Sequence, residues 1–167
     1  DGRRVATGSA ANPVVFTTLN DDSAGGNTNG GGVRAGTHGE WYGVLFRDTA
    51  DASALHYTEI RYAGSGYFPG IKLEAADITL DHCTIRHCYW NGLELNGAAT
   101  PSRPTVTDST FANCGHIATT GVDISAVRGF VANSASGNAG NFLEILYGTV
   151  TTPVTVGPAA MINGALV

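Results

Sequence analysis

The sequence has few charged residues, and basic residues are fewer than acidic ones. Charged residues make up 14% of the 167 residues, with 9 Lys and Arg against 14 Asp and Glu, for a formal net charge of −5. An acidic chain of this kind lacks the basic patch that nucleic-acid binding needs, so no nucleic-acid partner is expected. No apolar run reaches the roughly eighteen residues that a membrane-spanning helix requires, so no membrane span is expected either.

The sequence also lacks helical periodicity, since no segment sustains apolar residues at i, i+3, i+4 and i+7. Its apolar fraction of 43% is enough for one globular domain with a core, which we place over residues 1–167. The 23 glycines are more than an average chain carries and indicate many turns. Short strands separated by tight turns, rather than helices, are therefore predicted.

Five short segments share one pattern, in which a turn is followed by an apolar residue, a free position and a second apolar residue. The first apolar positions are Val44, Ile71, Leu93, Val122 and Leu143, at steps of 27, 22, 29 and 21 residues. In the segment NGLELNG, the alternation predicts that Leu93 and Leu95 point into a core while Glu94 points out.

A second family of segments interleaves with the first: residues 55–62, 80–87 and 106–113, with a weaker copy at 127–133. Ile60, Ile85 and Phe111 hold equivalent positions, 25 and 26 residues apart. Propeller blades need about forty residues each, so these shorter and irregular steps favour a solenoid. We predict an all-β, right-handed parallel β-helix of about five to seven coils with roughly 20 to 29 residues per coil, in which Ile60, Ile85 and Phe111 stack on one another.

Three segments carry a resemblance to a known family: residues 12–22 (NPVVFTTLNDD), 41–44 (WYGV) and 60–64 (IRYAG). With the repeats, the chain resembles right-handed parallel β-helix proteins of the pectate-lyase-like superfamily, and more narrowly the large secreted surface proteins of bacteria. The resemblance implies an extracellular or cell-surface location. It does not choose a function, because that superfamily contains lyases, hydrolases, adhesins and structural shafts.

The outward positions of the first pattern predict a ladder of Leu45, Lys72, Glu94, Asp123 and Glu144. Carboxylates on adjacent coils would lie ~5 Å apart, and those two coils apart ~10 Å. These separations are close to those of glycoside hydrolases, so Glu94, Asp123 and Glu144 are the catalytic candidates if the chain is an enzyme. The same stripe would suit calcium or a cationic ligand, or would simply be a solvated acidic face.

Two arginines, Arg61 and Arg86, are predicted to stack on the second ladder. Stacked guanidinium groups repel unless an anion lies between them, and that anion is either the nearby Glu59 or an acidic sugar. The resemblance implies a role in binding uronates, so Arg61, Arg86 and Lys72 are the ligand-binding candidates. A zinc site at His82-Cys83 is not expected, because strand alternation sends neighbouring side chains to opposite faces.

Cys88 and Cys114 align at one repeat position, which would place their Cα atoms ~5 Å apart and within disulfide range. Stacked buried thiols are the alternative. The loop at residues 20–32 resembles aspartate-rich loops of related β-helix proteins, which implies a calcium site, with these candidate ligands: Asp21, Asp22, Asn27 and Asn29. The alternative is a flexible Gly/Asn loop. No cofactor other than calcium is predicted.

Both chain ends read as strands, at residues 13–17, 155–158 and 161–167, without an amphipathic capping helix. Solenoids need covered ends. The chain is therefore predicted to be a segment of a longer β-helix or a subunit whose open ends meet copies of itself. The expected function is an extracellular structural or adhesive segment, without catalysis, that self-associates end to end. The alternative is a polysaccharide-active lyase or hydrolase, or a carbohydrate-binding β-helix.

Overall fold

The computed structural model describes residues 2–96 and 100–148, which form a parallel β-helix. Its strands are β1 Val5–Thr7, β2 Val14–Phe16, β3 Val44–Arg47, β4 Ala54–His56, β5 Thr58–Arg61, β6 Ile71–Glu74, β7 Thr79–Asp81, β8 Thr84–Arg86, β9 Leu93–Asn96, β10 Thr105–Thr107, β11 Thr110–Ala112, β12 Ile117–Asp123, β13 Phe130–Val131, β14 Ser134–Ser136 and β15 Gly140–Tyr147. Short 3₁₀ helices span Asp48–Ala50, Ser65–Tyr67 and Ile124–Gly129.

The strands fall into three parallel sheets of five, and each coil contributes one strand to every sheet. The first sheet has the order β1-β4-β7-β10-β13, the second β2-β5-β8-β11-β14 in space, and the third β3-β6-β9-β12-β15. We number the coils 1 to 5 from the N-terminal side. The prediction of an all-β parallel β-helix is confirmed, with five coils in the part of the chain that the structure describes. The strand-like segments predicted at residues 155–158 and 161–167 lie outside the described residues.

The core is a set of inward columns, one or two for each sheet. In the second sheet Ile60 pairs with Ile85 and Ile85 with Phe111, and all three side chains are fully buried. The predicted stack is therefore confirmed. The other columns are Leu55, Leu80, Val106 and Phe130 in the first sheet, and Ile71, Leu93, Thr119 and Leu143 in the third. Each buried apolar side chain stabilises the coil by about 1.5 to 3 kcal/mol.

Coils 2 to 5 each have two tight turns that form corners of the solenoid. The residue at each corner has a positive φ, a conformation that costs non-glycine residues about 1 to 2 kcal/mol. The first turn, between the first and second sheets, has Tyr57, His82, Asp108 and Ala132 at its corner in coils 2 to 5. The second turn, between the second and third sheets, has Tyr62, His87, Asn113 and Gly137 there. Backbone hydrogen bonds from each corner to the next coil stack these turns into columns.

Two alignments made from the sequence are corrected by the strand register. In coil 5 the repeat is not residues 127–133, because Phe130 pairs with Val106 and Ala135 lies opposite Phe111. In coil 4, Thr120 rather than Asp123 lies opposite Glu94.

The second correction has a local cause at Gly121. This residue has a φ of +76°, and a Cβ there would lie 1.9 Å from the carbonyl oxygen of Leu95. The glycine therefore lets β12 press against the coil below it while the strand bulges. The register shifts along the rest of the strand, so that Asp123 pairs with Tyr147 of β15. Asp123 is thereby removed from the predicted ladder.

Candidate functional site

Coil 1 ends in an open apolar cavity of about 500 Å³. Its lining includes Ala6, Phe16, Val44, Phe46 and Leu55. No strand in the described ranges pairs with the outer edges of β1, β2 and β3. We call this surface the coil-1 end. It presents apolar side chains together with unpaired backbone N–H and C=O groups, a combination that favours pairing with further strands.

The outer face of the third sheet carries the ladder on which catalytic residues were predicted. Lys72 lies at its centre, with Nζ 3.6 Å from Oε1 of Glu74 and 3.7 Å from Oε1 of Glu94. The other carboxylate oxygen of Glu94 accepts a hydrogen bond of 3.1 Å from Nδ2 of Asn91. Both oxygens of Glu94 thus have partners within the protein.

The ladder continues through Thr120, whose hydroxyl donates to Oε2 of Glu144. Glu94 and Glu144 therefore lie two coils apart, ~10 Å along the solenoid, with a hydroxyl between them. The predicted row of three adjacent carboxylates is not formed, because Asp123 lies outside it. Whether Glu94, Asp123 or Glu144 acts in catalysis stays a prediction.

An aromatic surface adjoins this ladder, and we call it the aromatic face; its members are Tyr67, Tyr89, Trp90 and His116. The ring of Trp90 stacks on that of His116 with centroids 4.0 Å apart and planes 7° apart. Tyr67 meets Trp90 edge to face at 5.2 Å. Nδ1 of His116 donates to Oδ1 of Asn91 at 2.8 Å, which links the aromatic face to Glu94.

The aromatic face was not predicted from the sequence. A signal was present, because Tyr67, Tyr89 and Trp90 each come shortly before a glycine that leads into a strand of the third sheet. Tyr67 is 63% exposed and Tyr89 46% exposed, so the face is accessible to a ligand. Exposed aromatic rings beside paired polar groups are a common composition of binding sites.

The two predicted ligand-binding arginines are engaged within the protein. Arg61 and Arg86 stack on adjacent coils, as expected. Oε1 of Glu59 lies 3.3 Å from Nη1 of Arg61 and also accepts from Nε of Arg86. Glu59 is thus the anion between the guanidinium groups, which was one of the two alternatives. A role of Arg61 or Arg86 in binding a ligand stays a prediction.

Arg61 has a second anionic partner in the long connection between β2 and β3. Oδ2 of Asp21 lies 2.5 Å from Nε of Arg61, an ion pair whose angle is too bent for a hydrogen bond. Both side chains are almost fully buried. Burial alone would raise the pKa of Asp21, but hydrogen bonds from Ser23 and Thr17 and the charge of Arg61 hold it below its ordinary value. Asp21 is therefore an ionised, buried counter-ion.

These contacts bear on the predicted calcium site. Oδ1 of Asp21 accepts from Ser23 and Oδ2 from Thr17, and Oδ2 of Asp22 accepts from the backbone N–H of Arg34. Oδ1 of Asn29 accepts from the N–H of Gly31. An arginine and three hydrogen-bond donors facing Asp21 do not fit a calcium ligand, since calcium needs several free oxygens around it. Calcium binding by Asp21, Asp22, Asn27 and Asn29 stays an untested prediction.

The three cysteines are buried free thiols in the structure. Cys88 and Cys114 lie beside each other at the second turn, and hydrogen bonding between them together with burial raises the pKa of Cys88 well above its ordinary value. Burial likewise raises the pKa of Cys83. The hydrogen bond with Cys88 lowers the pKa of Cys114. The protonated thiols of Cys83 and Cys88 are poor nucleophiles. The arrangement has the form of the stacked-thiol alternative, and the Cys88–Cys114 disulfide stays a prediction.

Comparisons with known proteins do not assign a family: no family model, no curated protein and no solved structure matches this chain. Across residues 2–96 and 100–148, no helix has the length and apolar character needed to cross a membrane.

Proposed function

We propose that this chain is a structural β-helix unit of an extracellular or cell-surface assembly, and that it associates end to end through the coil-1 end. The observation that carries the proposal is the apolar cavity of about 500 Å³ at that end, bordered by three strands whose outer edges have no partner strand within the described residues. Phe16 is 38% exposed there, whereas Ile60 beneath it is 1% exposed. An uncovered edge of this kind is a template for further pairing.

The occupant we propose is a second copy of this chain. A partner that covers the cavity and pairs all three edges must itself present three parallel strands with the same outline. Each coil of this chain has that outline. Strands that continue the parallel ladders run in the same direction, so the association is head to tail, and head-to-tail contacts that do not close produce fibres.

The location outside the cell and a role in adhesion are part of the same proposal. They are supported by the resemblance to large secreted surface proteins of bacteria.

The test is sedimentation velocity over a hundredfold range of concentration, with electron microscopy of the concentrated sample. We expect the sedimentation coefficient of the wild type to rise with concentration and fibres to be visible. Phe16→Asp places a charge in the coil-1 end and should leave a monomer. Val33→Asp adds the same charge at a residue that is 92% exposed in the long connection, and should behave like the wild type.

A wild type that stays monomeric at every concentration would overturn the proposal, as would a Phe16→Asp variant that assembles as well as Val33→Asp. Circular dichroism shows whether both variants keep the β-helix.

A second candidate function, glycan binding, is favoured by the aromatic face. We propose that Tyr67 and Trp90 stack on sugar rings, while Lys72 donates hydrogen bonds to their hydroxyl or carboxylate groups and Glu94 accepts from their hydroxyl groups. The continuous contacts from Lys72 through Glu94, Asn91 and His116 to Trp90 support one surface rather than scattered groups. A polysaccharide lyase or hydrolase has less support, because Asp123 lies outside the ladder and the carboxylates of Glu94 and Glu144 are engaged within the protein.

Binding of soluble neutral and acidic polysaccharides, measured by affinity electrophoresis, tests this second candidate. We expect retardation of the wild type and a loss of about fivefold or more in affinity for Trp90→Ala, since stacking of a ring on an aromatic side chain contributes about 1 to 3 kcal/mol. Tyr57→Ala removes an aromatic ring from the first turn and should bind like the wild type. Equal binding by both variants would count against the aromatic face.

A further inference from the structure

Two histidines and two aspartates converge at the first turn of coils 2 to 4. Asp81 is central: its Oδ2 lies 3.3 Å from Nδ1 of His56, and its Oδ1 lies 3.0 Å from Nδ1 of His82. Asp108 completes the group, since the nearest ligand atoms of Asp81, His82 and Asp108 all lie within 4.8 Å of one another. None of the surfaces described above includes these four side chains.

The fold itself brings the four residues together. The pairing of β4 with β7 sets His56 directly opposite Asp81. His82 and Asp108 are the corner residues of successive coils, with φ of 52° and 49°. The backbone N–H of His82 donates to the carbonyl of Thr107, so the two corners stack. The convergence thus follows from the coil repeat.

Neighbouring side chains hold the group in place. The hydroxyl of Thr107 donates to Oδ1 of Asp81 at 2.8 Å. The ring of Tyr57 packs on that of His82 with centroids 4.6 Å apart. Burial alone would raise the pKa of Asp81, but hydrogen bonds from Thr107, His82 and His56 hold it below its ordinary value. The central carboxylate is therefore ionised at neutral pH and oriented by groups that surround it, as metal ligands commonly are.

We propose that Asp81, His82 and Asp108 bind a divalent transition-metal ion of the zinc type, and that His56 orients Asp81 from its other carboxylate oxygen. Imidazole nitrogen and carboxylate oxygen are both zinc ligands, at about 2.0 to 2.2 Å from the metal. The edge of a tetrahedron with such bonds is about 3.4 Å, and Nδ1 of His82 lies 3.0 Å from Oδ1 of Asp81. Nitrogen ligands exclude a site designed for calcium or magnesium, which take oxygen.

The competing interpretation is a set of hydrogen bonds between the histidines and Asp81 that needs no metal. The two interpretations differ in what happens when metal is added. A metal ion would bind Nδ1 of His82 in the tautomer that carries the ring proton on Nε2, and would replace the hydrogen bond from Nδ1 to Asp81. Cys83 is buried and His82 exposed, as expected from side-chain alternation, so the ligands beside His82 are Asp81 and Asp108 rather than Cys83.

The test is titration of the metal-stripped chain with Co²⁺ and Zn²⁺ by absorption spectroscopy and calorimetry. We expect one equivalent of Co²⁺ to bind with visible d–d bands, with no thiolate charge-transfer band and with displacement by Zn²⁺. Saturation with Zn²⁺ should raise the melting temperature by about 5 to 10 °C at a hundredfold excess over the dissociation constant.

The chain offers a matched control at the second turn. His87 occupies the corner in the same coil as His82, with φ of 54°, and its ring packs on Tyr62 as that of His82 packs on Tyr57. No carboxylate groups with it into a metal-ligand cluster in the described ranges. His82→Ala and the nearly isosteric Asp108→Asn should each weaken Co²⁺ binding at least about tenfold, and His87→Ala should not.

Failure of the wild type to bind Co²⁺ or Zn²⁺ at millimolar concentration would overturn the proposal. So would equal binding by His82→Ala and His87→Ala, or a thiolate band showing that cysteine holds the metal. Because Asp108→Asn keeps the side-chain shape, its folding can be checked independently of the histidine variants.

Discussion

Equivalent core side chains are buried to very different extents in coil 1 and in the coils beneath it. Phe16, Ile60, Ile85 and Phe111 form one column, yet Phe16 is 38% exposed while the other three are 1% exposed or less. The side chains have similar apolar character. What differs is that the three deeper residues have a coil on both sides. Burial in a solenoid is therefore a property of the neighbouring coils as much as of the residue.

The two regions also differ in how they are held. Coil 1 contains the long connection between β2 and β3, residues 17–43, whereas the equivalent connection of coil 3 spans residues 87–92. The long connection is fixed to coil 2 by the buried pair of Asp21 and Arg61 and by the hydrogen bond from Nε1 of Trp41 to the carbonyl of Arg61. Polar contacts thus contribute to the stability of the end coil, whereas the middle coils are stabilised mainly by stacked apolar side chains.

The largest effect that would test this comparison is the removal of a phenyl ring from each region. Phe111→Ala should lower the free energy of unfolding by about 3 to 5 kcal/mol, because it leaves a cavity between two coils. Phe16→Ala should cost well under half as much, because its ring is already partly in water and the site opens to solvent. Urea denaturation of both variants, at a concentration where the wild type is monomeric, measures the difference.

Concentration is the control for that experiment. If the coil-1 end is covered in an assembly, the cost of Phe16→Ala should grow at high protein concentration and that of Phe111→Ala should not. Equal costs for the two variants in the monomer would contradict the idea that position in the stack decides burial energy.

A somewhat smaller effect is expected from the polar contact that fixes the long connection. Asp21→Asn should lower the free energy of unfolding by about 3 kcal/mol, the lower end for breaking a buried ion pair, because Arg61 keeps Glu59 as a partner. Thermal or urea unfolding gives the size of the change, and proteolysis of the native chain should begin within residues 17–43.

The matched control is Asp22→Asn. Asp22 is the next residue, and its Oδ2 accepts from the backbone of Arg34 in the same connection rather than from coil 2. We expect a loss of about 1 kcal/mol or less, the usual contribution of one hydrogen bond. If both variants lost the same stability, the connection would be held by its own turns and not by Arg61.

The middle coils could be predicted from the sequence, and the contacts of the end coil and the corners could not. The column of Ile60, Ile85 and Phe111 could be predicted because side-chain alternation with a period of two fixes which residues face inward. The predicted position of Asp123 on the ladder was wrong, because the bulge at Gly121 depends on the close approach of the carbonyl of Leu95 from the coil below. No pattern within β12 itself shows that approach.

Contacts between distant parts of the chain escaped prediction for the same reason. Asp21 reaches Arg61 from a connection with no repeat. Asp81 meets His56 only once the register of β4 against β7 is known, and a shift of one residue would have turned one of them inward. The alignment of His82 with Asp108 was visible in the repeats, but an alignment alone does not say which columns lie side by side.

The smallest expected effect is on the pH dependence of stability in acid. It tests whether the charge of Asp21 helps to hold coil 1. Asp21 has a lowered pKa in the folded chain, so its contribution to stability is fully present above its unfolded pKa of about 3.8 and is lost as the pH falls through the lower folded value. Urea midpoints measured between pH 6 and pH 2.5 should therefore fall less steeply for Asp21→Asn than for the wild type. Asp81 has a pKa lowered in the same direction, so a residual slope should remain in the variant.

Phe111→Ala keeps both carboxylates and should parallel the wild-type curve at lower stability. Parallel curves for Asp21→Asn and the wild type would mean that the charge of Asp21 does not help to hold coil 1, and that its hydrogen bonds to Thr17 and Ser23 suffice.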